Sequence, residues 1–202
     1  MDFLQIFTLI TGVIYIVLEI RQKNFMWVVG IATSLAAMWV FFRQGLYASF
    51  GLNTYYFITA FIGLWQWRRN RSAIAQDSDH EKIVLKHLSL RTIIISAVVA
   101  VAGVFLLSYG MIALHEAGLL GENPMSLLDS VVAVLSAIAT WWLVKMYREQ
   151  WWLWIVADTL SVVLCAMQGM WWMAALYVAY VAAAVYGLHY WKKCGVYLSD
   201  DQ

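Results

Sequence analysis

WWLWIVADTLSVVLCAMQ, residues 151–168, holds eighteen residues and a single charge, Asp158. In a soluble protein a stretch this apolar would be one buried helix among polar ones. Here the whole chain resembles it: 63% of the 202 residues are hydrophobic, 16% aromatic and only 12% charged. Soluble domains carry about a quarter charged residues, so this chain lacks the polar surface to stay dissolved. The stretch therefore reads as a membrane span, and the length is that of one domain.

A helix needs about 20 apolar residues to cross the hydrocarbon core. Working outward, spans are expected at 3–20, 25–42, 48–67, 92–114, 125–144, 151–168 and 171–191. Short links such as RQKN (21–24) and QGMW (168–171) force antiparallel neighbours. Pro124 precedes the fifth span, where its missing N–H is harmless. The one long polar stretch, RRNRSAIAQDSDHEKIVLKHLSLR at 68–91, mixes both charge signs and reads as a loop or interfacial helix.

Basic residues set the direction, because cytoplasmic loops carry the excess of Lys and Arg. With the N-terminus outside, 12 of the 13 fall on the inner side: Arg21, Lys23, Arg68, Arg69, Arg71, Lys82, Lys86, Arg91, Lys145, Arg148, Lys192 and Lys193. Only Arg43 is outside. The first apolar run has no basic leader and no small-residue cleavage pattern, so it reads as a retained span.

The opening stretch also begins a repeat. Moved by 124 positions, Trp27 falls on Trp151, Gln44-Gly45 on Gln168-Gly169, Tyr56 on Tyr180, Gly63-Leu64 on Gly187-Leu188 and Trp67 on Trp191. Arg68-Arg69 falls on Lys192-Lys193, and residues 25–70 contain ten identities in 46 positions without a gap. The plan is a first three-helix repeat (1–70), a cytoplasmic loop (71–91), a linker helix (92–114) and a second repeat (125–194). An odd linker helix makes the repeats parallel. Parallel repeats are a transporter architecture, with the substrate held near midplane between them; a merely duplicated bundle is the plainer alternative.

Asp158 is the one ionisable side chain near the middle of a span, while Glu19 and Asp129 stand close enough to span ends to reach interfacial water. A charge at helix centre costs roughly 2.5–3.5 kcal/mol on insertion scales. Either the acid is protonated and hydrogen-bonded in the bundle, or it is a carboxylate waiting for a cation. Trp154 lies one turn earlier on the same face, and an indole over a desolvated cation is worth up to about 2 kcal/mol. Asn53, Tyr55 and Tyr56 in the third span, and Tyr177 and Tyr180 in the seventh, are further candidate contacts. Tyr56 and Tyr180 match across the repeat, whereas Asn53 matches Tyr177. Tyrosines near a membrane surface are also ordinary belt residues.

LNTYYFITAFIGLWQWRRN at 52–70, together with the repeat and the late aromatic helix, resembles the PnuC family of vitamin transporters. The resemblance runs from about residue 3 to 193 and is most specific at LWQWRRN. It implies a SWEET-like 3+1+3 fold, facilitated diffusion, a homotrimer and a cytoplasmic kinase that traps the arriving vitamin by phosphorylation. Gln66 belongs to that motif and is expected to line an inner vestibule. Nicotinamide riboside carriers of the family have tryptophan followed four residues later by asparagine where this chain has Trp154 and Asp158. The acid can meet a fixed positive charge, which both nicotinamide riboside and thiamine carry, and it pulls toward thiamine.

The remaining features argue mostly by what they exclude. Trp65, Trp67 and Trp191 sit beside cations and read as interfacial anchors. Gly45 and Gly169 read as turn residues. Cys165 and Cys194 have neither disulfide nor zinc spacing. His80, His87, His115 and His189 suggest no catalytic pairing, and there is no GxxxxGK[ST] loop for ATP. Nor do the scattered cations describe a nucleic-acid groove. The expected protein is an all-α inner-membrane importer of a cationic vitamin without cofactor, nicotinamide riboside first and thiamine second. Its rivals are a membrane enzyme or sensor holding a lipid, and a structural subunit in which Asp158 makes an assembly contact.

Overall fold

The computed structural model describes residues 3–43, 47–74, 83–119 and 126–198. Seven helices follow in order: α1 (Phe3–Ile20), α2 (Phe25–Arg43), α3 (Tyr47–Ile74), α4 (Leu90–Glu116), α5 (Ser126–Val144), α6 (Gln150–Met167) and α7 (Trp171–Cys194). Two short strands, β1 (Ile83–Leu85) and β2 (Gly195–Tyr197), accompany them. The Gln44-Gly45 pair, His80, Lys82 and Pro124 lie outside the described residues. The protein is an all-α membrane protein. By length and composition α4, α5, α6 and α7 can each cross a bilayer. None of the apolar window of α4 is buried in the protein, so Ile94, Val98, Val101 and Leu106 offer the kind of surface only lipid or another apolar body tolerates.

Helix ends have local causes. Ser89 caps α4 by accepting the Thr92 N–H at 3.2 Å. At the other end the Ala117 N–H reaches the Ala113 carbonyl, and Gly118 turns the chain at φ +72°. Gly169 does the same after α6, at φ +71°, with the Met170 N–H bonded to Cys165 O at 2.8 Å.

The chain forms two compact units. The first comprises Met1–His87, Thr140–Arg148 and His189–Gln202; the second comprises Leu88–Ala139 and Glu149–Leu188.

In the first unit α2 packs along α3. Trp27 lies flat against Gly63, where a Cβ would come within 2.5 Å of its ring. Such close approach is how helices associate in lipid, where burial in itself gains little and van der Waals contact decides. Trp67 meets Trp27 edge-on at 5.1 Å and donates its indole N–H to the Leu143 carbonyl at 3.2 Å. Trp191 donates likewise to Ile20 O at 2.9 Å. Both indoles are 0% exposed, so the expected anchoring role is wrong for them: each donates to a carbonyl at the end of a helix far away in sequence, Trp67 as a second donor beside the Met146 N–H. Trp65, 64% exposed with Arg69 over its ring, keeps the exposure an interfacial anchor needs.

The turns after α1 and α5 share an unusual geometry. Gln22 (φ +50°) and Met146 (φ +61°), 124 positions apart, both adopt the left-handed conformation that costs a non-glycine residue energy. Lys23 N–H then bonds to Leu18 O, and Tyr147 N–H to Trp142 O. The buried Gln22 amide bonds both to Val84 O and to Val84 N–H, each at 2.7 Å, filling the place of a neighbouring strand. On its other side β1 pairs in parallel with β2, Ile83 opposite Gly195 and Leu85 opposite Tyr197. The polar stretch 68–91, expected as a loop or interfacial helix, contributes regular structure where it is described. Its first turns prolong α3, and its IVL run is a fully buried strand.

In the second unit Trp151 repeats the first unit's contact, with Gly187 beneath it and a would-be Cβ 2.6 Å from its ring. Gly103 of α4 faces Val134 of α5 in the same way, at 3.2 Å.

Candidate functional site

Trp154 and Asp158 lie one turn apart on the unbroken α6, hence on one face. Asp158 is 7% exposed, and among the described residues no hydrogen bond or ion pair engages its carboxyl. The Trp154 indole nitrogen is buried too and has no hydrogen-bond partner within the protein. Buried polar groups are nearly always bonded, so an acid and an N–H donor open on the same face make this face the candidate ligand site. Trp27 shows that an orphan N–H alone is insufficient, for its nitrogen is also unbonded while its ring is sealed against Gly63 and Trp67.

Tyr177 and Tyr180 stand one turn apart on α7, their rings 6.0 Å apart and nearly perpendicular. The Asp158 carboxyl acts electrostatically on both phenols, and Asp129 and Cys165 act on Tyr177. The second unit therefore gathers Asp158, Tyr177 and Tyr180 as the sequence suggested, and adds half-buried Asp129. That acid was expected near interfacial water. Its proximity to Tyr177 carries no local signal, because α5 and α7 meet only in the folded chain.

The first unit holds Asn53, Tyr55, Tyr56 and Gln66, all half-buried on α3. Asn53 and Tyr56, three apart, share a face. Tyr55 and Tyr56 have ring centroids 5.7 Å apart, and Glu19 and Tyr56 both act electrostatically on Tyr15 of α1. Glu19 is 3% exposed, not at the water interface as its position suggested; the turn at Gln22 and the strand beyond it fold over that helix end. The i, i+4 pair Tyr15 and Glu19 was the legible signal for this polar line. Gln66 is about 15 Å along α3 from Tyr56, and its amide oxygen accepts from Lys145 Nζ at 3.4 Å. It belongs with the cations at that helix end rather than with the tyrosines.

Among the described residues no cluster of His, Cys, Asp or Glu could hold a metal, and both cysteines are free thiols. The groove between α4 and α5, lined by Ala100, Val104, Phe105, Val131 and Leu135, presents no polar atom and is unsuited to a charged heterocycle. The Trp154–Asp158 face, with the two phenols, offers what such a molecule needs: an aromatic plane, an N–H donor, hydroxyls and an acid.

Comparison with known proteins points the same way. Residues 2–193 match the family model of the nicotinamide mononucleotide transporter. A Neisseria mucosa protein named nicotinamide riboside transporter PnuC is 27% identical over 193 residues, 91% of this chain and 70% of that one. The Escherichia coli protein of the same name is 26% identical over 169 residues, covering 75% and 69%. A crystal structure of the vitamin B3 transporter PnuC superimposes with a TM-score of 0.65 at 26% identity, covering 93% of this chain and 79% of that one. With a family model spanning nearly every residue and a solved relative of the same fold, the chain belongs to the nicotinamide mononucleotide transporter family.

Proposed function

We propose that this protein carries a cationic vitamin across the bacterial inner membrane, with nicotinamide riboside as its substrate. The observation that carries the reading is Asp158, buried on α6 without a bonded partner among the described residues, beside the Trp154 indole, likewise unbonded among them. An uncompensated acid in this setting is expensive, and a pyridinium guest stacked on Trp154 would offset the cost. Tyr177 and Tyr180 would bond the ribose hydroxyls, and Asn53, Tyr55 and Tyr56 would meet the guest at another point of its path. The names of the relatives support the vitamin and its identity.

Thiamine is the second reading, favoured by the same acid, since a thiazolium also carries a fixed positive charge. Uptake into protein-loaded liposomes, each vitamin in turn and no energy source supplied, tests both. Equilibration of nicotinamide riboside supports the first reading, equilibration of thiamine alone supports the second, and equilibration of neither overturns the carrier.

We further propose that residues 1–70 and 125–194 are parallel copies of one three-helix unit joined by helix 92–114. The support is the matched Trp27–Gly63 and Trp151–Gly187 contacts and the paired turns at Gln22 and Met146. The basic residues favour an outer N-terminus and an inner C-terminus. Transport would be facilitated diffusion by a homotrimer, with a cytoplasmic kinase withdrawing the product. Asp158→Asn separates this reading from a structural subunit. A folded variant that no longer takes up vitamin supports transport; a variant that falls to monomers yet keeps uptake does not.

A further inference from the structure

The first unit carries a cation cluster that vitamin transport does not use. Arg69 comes from α3, Lys86 directly follows β1, and Lys145 directly follows α5. Lys86 is fixed by its N–H, which donates to Met146 O at 3.1 Å and sets it beside the Lys145–Tyr147 turn. The Lys145 ammonium lies 4.8 Å from the Trp141 ring centroid and 3.4 Å from Gln66 Oε1. The Arg69 guanidinium lies 5.7 Å over Trp65. The supporting frame is rigid, since Trp67, Leu143, Val144 and Met146 are all fully buried.

Among the described residues no carboxylate pairs with any of the three. Burial, then repulsion from Lys145 and Arg69, pushes the Lys86 ammonium below its ordinary value. Like charges for which the described residues supply no counterion are costly unless an anion joins them, and a frame that already holds them apart spends little ordering on capturing one. The fit is to a tetrahedral oxyanion, whose several oxygens can accept from a guanidinium and two ammonium groups at once.

We propose that Arg69, Lys86 and Lys145 form a binding site for a phosphate group, borne either by an anionic membrane lipid or by a small soluble phosphate.

Tryptophan fluorescence of the full chain in neutral detergent tests it, because Trp65 and Trp141 border the site. Inorganic phosphate is titrated in one arm. In the other, phosphatidylglycerol is mixed into the micelles, with phosphatidylcholine as reference. Saturable binding of phosphatidylglycerol alone assigns the lipid; binding of inorganic phosphate as well assigns the free anion. In either case Lys145→Gln should weaken binding about tenfold or more, as losing one charge-assisted bond does, and Lys145→Arg should retain most of it. Should Lys145→Gln not fold, Lys86→Gln, half-exposed and outside the helices, is expected to give a comparable loss. Arg91→Gln, exposed at the start of α4, serves as control. An equal loss in that control, or no saturable binding of either probe by the wild type, overturns the site.

Discussion

Trp27 and Trp151 lie with their rings on Gly63 and Gly187, and a Cβ at either glycine would intrude to 2.5 or 2.6 Å. Three residues on, the two segments part: Gly30 in one corresponds to Trp154 in the other, Ser34 to Asp158, and Asn53 to Tyr177. At Gly30 a Cβ would stand in ordinary contact with Tyr15, 3.5 Å away, and with Ala60. Where backbones touch, one residue type fits and both segments keep it. At the candidate ligand positions the segments diverge, so the two copies offer different chemistry.

The comparison can be broken at its frame. Gly63→Ala and Gly187→Ala should each cost about 1–3 kcal/mol through overpacking, read as a fall in the melting temperature of the purified protein. A cost at one glycine and none at the other would end the equivalence. Its chemistry can be broken separately. Trp154→Ala should weaken vitamin binding by up to about 2 kcal/mol, near thirtyfold, by removing the stacking plane, with little change in melting temperature. Asp158→Asn should weaken it about tenfold, as loss of a charged partner does, and should do so for nicotinamide riboside and thiamine unequally if the acid sets selectivity.

Smaller effects sharpen the picture. Trp67→Phe removes one of two donors to the Leu143 carbonyl, which keeps the Met146 N–H, and should cost under about 1 kcal/mol; Trp191→Phe leaves Ile20 O without its indole donor and should cost about 1 kcal/mol. Lys86→Gln should slightly stabilise the protein at neutral pH. Burial of Lys86, then its place beside two cations, disfavours the charged amine in the folded state and so opposes folding. The penalty persists below the lowered folded value and fades as pH rises through it. It vanishes above the ordinary 10.5, where the amine is neutral in both states. A melting-temperature difference that grows with pH would contradict this.

The seven helices were legible because each carries its own apolar run, closed by charges or by a turn such as Gln168-Gly169. The strands were not. A three-residue ladder has no periodicity of its own, and Ile83 finds its partner at Gly195 on the far side of four helices. Trp67 and Trp191 were misread because an aromatic beside a cation is the pattern of a membrane belt; their carbonyl partners lie 76 and 171 positions away. Asp158 announced itself as a lone acid in oil-soluble sequence. Its neighbour Tyr177 was picked up by the repeat, but Asp129 beside that tyrosine could emerge only from helix packing.

The ladder between β1 and β2 also has a consequence in time. A ribosome making this chain has finished all seven helices before it reaches Gly195, so the ladder and the Trp191 bond to Ile20 are among the last native contacts to form. A nascent chain released before Gly195 would already sit in the bilayer with the edge of β1 that pairs with β2 unpaired. Such a chain would be a natural target for quality-control proteases, which makes β2 a late seal on the first unit.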